Sequence, residues 1–313
     1  MKLTHIKIEG LYKSFNIETN LDPRLNILVG NNGSYKTTVL KTLSDSISKD
    51  GHSPEYNFNH LFLDFDDGSR LTYSKRYRMG KPYGFVSEGV SDNPSDSGLV
   101  EIMNADAVKN GKSLPVMSVI SRINVDSIFT YDTRDKELVS GYSELETVLK
   151  GKISDYGIYL ADLTDSISED LKAGKTNAYT KAFAARDSFK EILDSAFSET
   201  HKTLSNINRM DFVKAENRVE IPISWKNLSS GEKQLVIILL TVLMERGNDS
   251  ILIMDEPEIS MHITWQSQLL DWIFKLNPNV QVIMSTHSPS IFGKGWGNKI
   301  IYMEDIITNA INK

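Results

Sequence analysis

Four short segments carry residues whose types and spacing could do chemistry. Gly30-Asn31-Asn32-Gly33-Ser34-Tyr35-Lys36-Thr37-Thr38 joins the apolar run LNILV (25–29) to a stretch that begins VLKTL. Glycines that leave backbone N–H groups bare, a helix start behind them, a lysine and hydroxyls are what surrounds a polyphosphate. Asn31, Asn32, Gly33, Ser34, Tyr35, Lys36, Thr37 and Thr38 are therefore the candidate nucleotide-binding set. Lys36 would reach the β and γ oxygens of ATP, and Thr37 would hold Mg²⁺.

Tyr35 departs from that chemistry. Glycine is favoured directly before the lysine, because the loop packs tightly around phosphate and a side chain there must point away from it. Two readings stand. The ring stacks beside the adenine or ribose or covers the phosphates, or the loop has lost its affinity for nucleotide and hydrolysis with it.

The apolar run Ile251–Met254 ends in the pair Asp255-Glu256. Alone, an acid pair after a strand is commonplace. Downstream of a phosphate loop it reads as a Mg²⁺ ligand acting through water, Asp255, and a general base that polarises the attacking water, Glu256. Val282–Thr286 leads in the same way to His287. By itself this reads as a strand-end histidine bonded locally.

Asn227-Leu228-Ser229-Ser230-Gly231-Glu232 opens another apolar stretch, 235–244. Ser229 with Glu232 three positions on is a capping box. That does not explain Gly231, because glycine in a first helical turn costs about 1 kcal/mol relative to alanine. A small-residue turn at a helix N-terminus lets bare N–H groups meet a γ-phosphate held by a second copy. Ser229, Ser230, Gly231 and Glu232 are therefore expected to act in trans, in a dimer.

The elements that must position these groups are partly readable. Residues 3–9 and 25–29 read as strands, and His60–Tyr77 as a hairpin turning on Asp67-Gly68. Residues 80–114 read as a long polar excursion, with low complexity at 87–98, and 115–120 as a strand. Helical spacing runs through 142–210, too short for coiled-coil arms. Then come a short strand (VEIPISW), a buried helix (235–244), a buried strand (ILIMD), a helix (264–276) and a last strand (VQVIMST). No internal repeat is visible.

Composition narrows the classes. A chain of 313 residues that is 40% hydrophobic and 24% charged is globular in type. It has no cysteine, so disulfides and thiolate chemistry are excluded, and its six histidines show no metal-ligand spacing. The N-terminus lacks a signal-peptide pattern and the run 235–244 is far short of the roughly 20 residues a bilayer needs, so a cytoplasmic location without membrane contact is expected. A net charge of −6 does not favour non-specific attraction to a polyanion. The Lys75, Arg76, Arg78 cluster reads as a solvated hairpin edge.

The order of the four segments is more specific than any one of them. Gly30–Thr38 resembles a Walker A loop, Leu228–Glu232 (LSSGE) an ABC signature, Ile251–Glu256 a Walker B strand and His287 a switch histidine. The chain thus resembles the soluble ABC-type ATPases, the SMC, RecF and OLD-like branch. The run DEPEISMHITWQ (255–266) is similar to the DEPE-x-x-LHP-x-WQ run of AAA-type ATPases encoded beside nucleases in bacterial defence islands, of OLD-like, Septu-type and PARIS-type systems. Met261 and Ile263 replace the usual Leu and Pro, and Glu258 to Ser260 take the place of the dimer-crossing D-loop. The resemblance covers about 1–45 and 220–313, and no Q-loop glutamine is placed by it.

That resemblance implies an α/β fold: an ABC-type ATPase head with a P-loop core sheet, a small antiparallel β lobe and an inserted helical lobe. The divisions expected are 1–140, 141–215 and 216–313. It implies ATP and Mg²⁺ as cofactors, slow hydrolysis, and a head-to-tail dimer or higher homo-oligomer. The chain ends at Lys313, soon after His287, so any nuclease effector is expected to be a separate polypeptide. Three classes compete: an ATPase that senses a trigger and holds or activates an effector in phage defence, a RecF-like repair ATPase that binds DNA, and a non-hydrolysing nucleotide-gated scaffold. A transporter ATPase is the most distant.

Overall fold

The computed structural model describes residues 1–49, 57–79, 99–129, 142–174, 178–293 and 295–310. In chain order the strands and helices begin with β1 (Leu3–Leu11), β2 (Phe15–Asn20), β3 (Leu25–Val29), α1 (Lys36–Ile47), β4 (His60–Phe65), β5 (Ser69–Met79), β6 (Leu99–Lys109) and β7 (Lys112–Leu114). They continue with α2 (Val116–Ile120), β8 (Val125–Ile128), α3 (Glu144–Lys172), α4 (Ala178–Ala196), β9 (Lys202–Asn206), β10 (Asp211–Glu216), β11 (Val219–Ile223) and α5 (Ser230–Met244). The last are β12 (Ser250–Asp255), α6 (Ile263–Gln266), α7 (Leu269–Leu276), β13 (Val280–Ser285), α8 (Pro289–Phe292), β14 (Ile300–Tyr302), α9 (Met303–Ile306) and β15 (Ile307–Asn309). They fall into two compact units, one built from Met1–Pro23, Asp45–Ile123 and Met303–Lys313, the other from Arg24–Ser44 and Asn124–Tyr302.

In the first unit the strands run in the order β15-β2-β1-β4-β5-β6-β7, every neighbouring pair antiparallel. Alternation decides which face is inside: Leu61, Leu63 and Phe65 of β4 are buried while the residues between them are half-buried. The turn from β4 to β5 takes Gly68 at φ 79, the positive value that glycine adopts without steric cost. Burial of Asp67 in that turn opposes its charge, but hydrogen bonds from Lys109 and Ser69 win and hold its carboxyl well below the usual range.

The second unit holds the chemistry. Its sheet, β14-β3-β13-β12-β8, is parallel throughout, and β12 and β13 are buried at every residue. Parallel strands covered on both faces read as unbroken apolar runs, which is how LNILV, ILIMD and VQVIMS look in the chain. α5 is buried from Gly231 to Leu243, on all sides, as expected of a helix with little amphipathic contrast. Its neighbours include α3, α4 and α7, which share one core with it through Leu149, Tyr156, Phe189, Leu193 and Ile273. A separate antiparallel sheet, β11-β10-β9, follows α4.

Several sequence expectations are corrected here. Residues 116–120 form a helix rather than a strand: Val119, Ile120 and Ile123 are buried, a helical spacing, and Pro115 sits at the N-cap. The excursion expected over 80–114 contains β6 and β7; β6 pairs with β5 along its whole length, from Ser69↔Lys109 to Met79↔Leu99. Its polar and small residues hide it, because the partner strand supplies the order that apolar alternation does not. The low-complexity stretch 87–98 lies outside the described residues.

Helix does not continue to 210. It stops at His201, whose left-handed φ of 55 ends a short 3-10 turn, and the chain then enters β9. The helix expected over 264–276 is broken between Gln266 and Leu269 into α6 and α7.

Candidate active site

Parallel strands deliver the segments that follow them to one edge of a sheet, and in open α/β folds ligands bind outside the carboxyl ends of the strands. Here the loop after β3, the acid pair at the end of β12 and the histidine after β13 leave adjacent strands, because the order is β3-β13-β12. The register sets Asp255 opposite Ser285 and Ser285 opposite Leu28.

The first loop is closed by its own atoms. Lys36, 5% exposed, donates from Nζ to the carbonyls of Gly30 (2.9 Å) and Asn31 (3.1 Å). Asn31, Asn32 and Gly33 are exposed, and Ser34, Tyr35, Thr37 and Thr38 are half-buried. Ser34 Oγ is buried without a hydrogen-bond partner among the described residues, a hydroxyl that suits a loop built to receive acceptor oxygens. Tyr35 lies at φ 66. It keeps the left-handed turn that glycine would make freely, at a cost a residue with a Cβ must bear.

Thr37 and Asp255, 218 residues apart, meet directly: Thr37 Oγ1 donates to Asp255 Oδ2 at 2.8 Å. A hydroxyl and a carboxylate oxygen this close are the hard oxygen donors Mg²⁺ takes, and that ion is commonly held by one or two carboxylates plus substrate phosphates. Asp255 also accepts from the Ser285 hydroxyl. Ser285 reaches the next acid as well, since Glu256 N donates to Ser285 O (3.2 Å) and Oγ (3.1 Å).

Glu256 itself sits at φ 47, a left-handed conformation uncommon for a residue with a Cβ and concentrated at functional sites. Its Oε1 lies 3.4 Å from His287 Nε2. Thr37, Asp255, Ser285, Glu256 and His287 are thus joined through short contacts at the strand ends, next to the loop that Lys36 closes.

The Ser229–Glu232 turn is organised within the subunit. Ser229 Oγ accepts from Glu232 N (3.3 Å) while Glu232 Oε2 accepts from Ser229 N (2.7 Å), the reciprocal box expected from the sequence. Glu232 is 1% exposed. Burial opposes its charge, but hydrogen bonds from Lys202 (2.7 Å), Ser229 N and Thr200 hold its carboxyl below the ordinary range. Gly231 has a reason the sequence did not show: a Cβ there would lie 2.1 Å from the Ser260 carbonyl oxygen, so the helix start packs backbone to backbone on the segment after Glu256. Ser229 and Ser230 stay exposed, and so do Ile259 (41%) and Ile263 (62%).

Ser285 and Gln266 were assigned no role by motif reasoning, and Glu258 was assigned only to the D-loop stretch. Ser285 carries no signal beyond its place near a strand end. Glu258 and Gln266 were visible only as part of the DEPE and WQ run. No glutamine precedes Gln234 in the chain, so the missing Q-loop residue is absent from that whole stretch.

A parallel sheet bearing a phosphate loop, an acid pair and a histidine at adjacent strand ends defines a P-loop ATPase head of the ABC and SMC kind. The fold agrees with the structure of an SMC head bound to the C-terminal winged-helix domain of ScpA, with a TM-score of 0.53 at 14% identity over 96% of this chain and 94% of that one. Residues 127–293 match the family described as "AAA domain, putative AbiEii toxin, Type IV TA system", and the chain belongs to that ATPase family. Among its relatives, "Septu protein PtuA" of Bacillus thuringiensis is 24% identical over 96% of this chain and 75% of its own length. "Retron Vc95 probable ATPase" of Vibrio cholerae is 23% identical over 87% and 67%. "Endonuclease GajA" of Bacillus cereus is 21% identical over 79% of this chain and 40% of its own length.

Proposed function

We propose that this chain binds and slowly hydrolyses Mg·ATP, that two copies close head to tail around the nucleotides, and that the closed assembly holds or activates a separate effector, a nuclease, in defence against phage. The observation that carries the reading is the 2.8 Å bond between Thr37 and Asp255. It brings together at the strand ends a hydroxyl and a carboxylate oxygen from distant segments, the kind of oxygen donors that Mg²⁺ takes. The left-handed backbone at Tyr35 supports an intact loop over a decayed one, since the turn is kept at the expense of strain.

In this reading Lys36 turns from the Gly30 and Asn31 carbonyls toward phosphate oxygens, and Asn31 to Thr38 line the nucleotide. Mg²⁺, held by Thr37 and by Asp255 through water, would neutralise charge on the transferred phosphoryl group. Glu256 accepts the proton of the attacking water, and His287, beside it, stabilises the γ-phosphate end. Ser229 and Ser230 face the partner's nucleotide with backbone N–H groups and hydroxyls, while Gly231, packed on Ser260, and Glu232 fix their turn from inside. The exposed Ile259 and Ile263 support burial of this face by a second copy. The effector reading draws on the Septu and retron relatives. No helix among the described residues is long and apolar enough to cross a membrane.

The test is the sedimentation mass of the purified chain with and without Mg·ATP. The parent is expected to gain mass on ATP, Lys36→Ala to lose the response, and Glu256→Gln to remain trapped in the heavier form. No change of mass in any of them, together with no ATP binding, would overturn the reading and leave a scaffold with a dead loop.

A further inference from the structure

The segment that follows Glu256 is bonded to the histidine loop at three consecutive residues. Glu258 Oε1 accepts from the Thr286 hydroxyl (2.7 Å) and from the backbone N–H of His287 (2.8 Å). Thr286 Oγ1 in turn accepts from Ser288 N (2.9 Å). Ser288 Oγ donates to Gln266 Oε1 (2.6 Å), and Gln266 Nε2 donates back to the Met261 carbonyl (3.0 Å). Residues 286, 287 and 288 are therefore each fixed, directly or through one bond, by a side chain from the 258–266 segment.

We propose that Glu258 and Gln266 are positioning residues, which set the place of His287 against Glu256 without themselves touching nucleotide or metal. The His287 side chain is 42% exposed and its Nε2 stands 3.4 Å from Glu256 Oε1, so the ring is placed mainly by its backbone. That backbone hangs from a carboxylate, and a bond from an N–H to a charged acceptor is about twice as strong as a neutral one. The other oxygen of Glu258, Oε2, is buried with no partner among the described residues. A side chain present only to fill space would not bring an unpaired charged oxygen with it, because leaving such a group unsatisfied is costly. The carboxylate is kept for the acceptor that faces Thr286 and His287.

The same segment carries Ser260, whose carbonyl lies under Gly231. The Ser229–Glu232 turn is therefore in packing contact with the stretch whose Glu258 bonds the histidine loop of the same chain. The kinetic consequence rests on the ATPase reading above; the placement of His287 does not.

The test uses the full chain labelled with ¹³C,¹⁵N-histidine, with the His287 imidazole signals assigned by their loss in His287→Ala, alongside ATP turnover and ATP affinity. Glu258→Ala is expected to move the His287 signals and lower kcat by about 100-fold, as misplacement of a reacting group by about 1 Å does, with KM and ATP affinity changed by less than about threefold. Glu258→Gln keeps the accepting oxygen and should restore both readings. Gln266→Ala should act in the same direction and serves where Glu258→Ala does not fold. The double variant Glu258→Ala, His287→Ala should be no slower than His287→Ala alone, because the first residue acts through the second.

Unmoved His287 signals in Glu258→Ala, a glutamine no better than the alanine, or a double variant slower than His287→Ala would each overturn the proposal. If the parent shows no turnover and binds no ATP, the ATPase reading falls, and the imidazole signals still decide the placement of His287.

Discussion

Tyr35 is where a single residue puts most at stake. At φ 66 it occupies a region that costs an L-residue roughly 1–2 kcal/mol, and glycine in its place would remove that strain while adding freedom to the unfolded chain. The two effects are opposed and similar in size. Tyr35→Gly is therefore expected to change unfolding stability in urea by less than about 1 kcal/mol and to keep ATP binding by titration calorimetry. Tyr35→Val sets a β-branched side chain at the same positive φ; it is expected to cost about 2 kcal/mol and to weaken binding as the loop distorts. Glu256 and Ser260, at φ 47 and 67, show the same habit of placing strained backbone beside the reacting groups.

Among the elements, α5 is the one whose entry the rest of its unit depends on. Its first turn is held by a capping box, by the Lys202–Glu232 pair and by Lys233 Nζ on Glu146 (2.8 Å), which belongs to the capping box of α3. Gly231 lets that turn lie on the Ser260 carbonyl. Alanine in an open helical position gains about 1 kcal/mol over glycine, but here a methyl at 2.1 Å from a backbone oxygen must push one segment aside. Gly231→Ala is expected to lose about 2 kcal/mol in urea unfolding, the size of an overpacking penalty. A gain instead would mean that the two backbones do not touch.

For the whole chain, the surplus of 41 acidic over 35 basic residues weighs against the DNA-repair alternative. Non-specific DNA affinity comes from phosphate contacts that release counterions and fade steeply with salt. A fluorescent duplex titrated at 50 and 150 mM salt is expected to bind more weakly than about 10⁻⁴ M at the higher salt, the loose end of the non-specific range. Tight binding there would favour a local basic stripe and the repair reading.

The buried parallel strands β3, β12 and β13 and the residues at their ends were legible in the chain, because strands covered on both faces must be apolar throughout and the chemistry sits where each run stops. The capping box of α5 was legible for a similar reason: it is a local exchange of hydrogen bonds between residues three apart. By contrast β6, the helix α2, the end of helix at His201 and the break between α6 and α7 were not, since each is decided by what packs or pairs against it rather than by its own pattern. The same holds in the site. Lys36, Asp255, Glu256 and His287 were readable as candidates only from the order of the four segments together. That Thr37 bonds Asp255, that Gly231 makes room for Ser260, and that Glu258 holds His287 are contacts between segments distant in sequence, and only the folded chain brings their partners together.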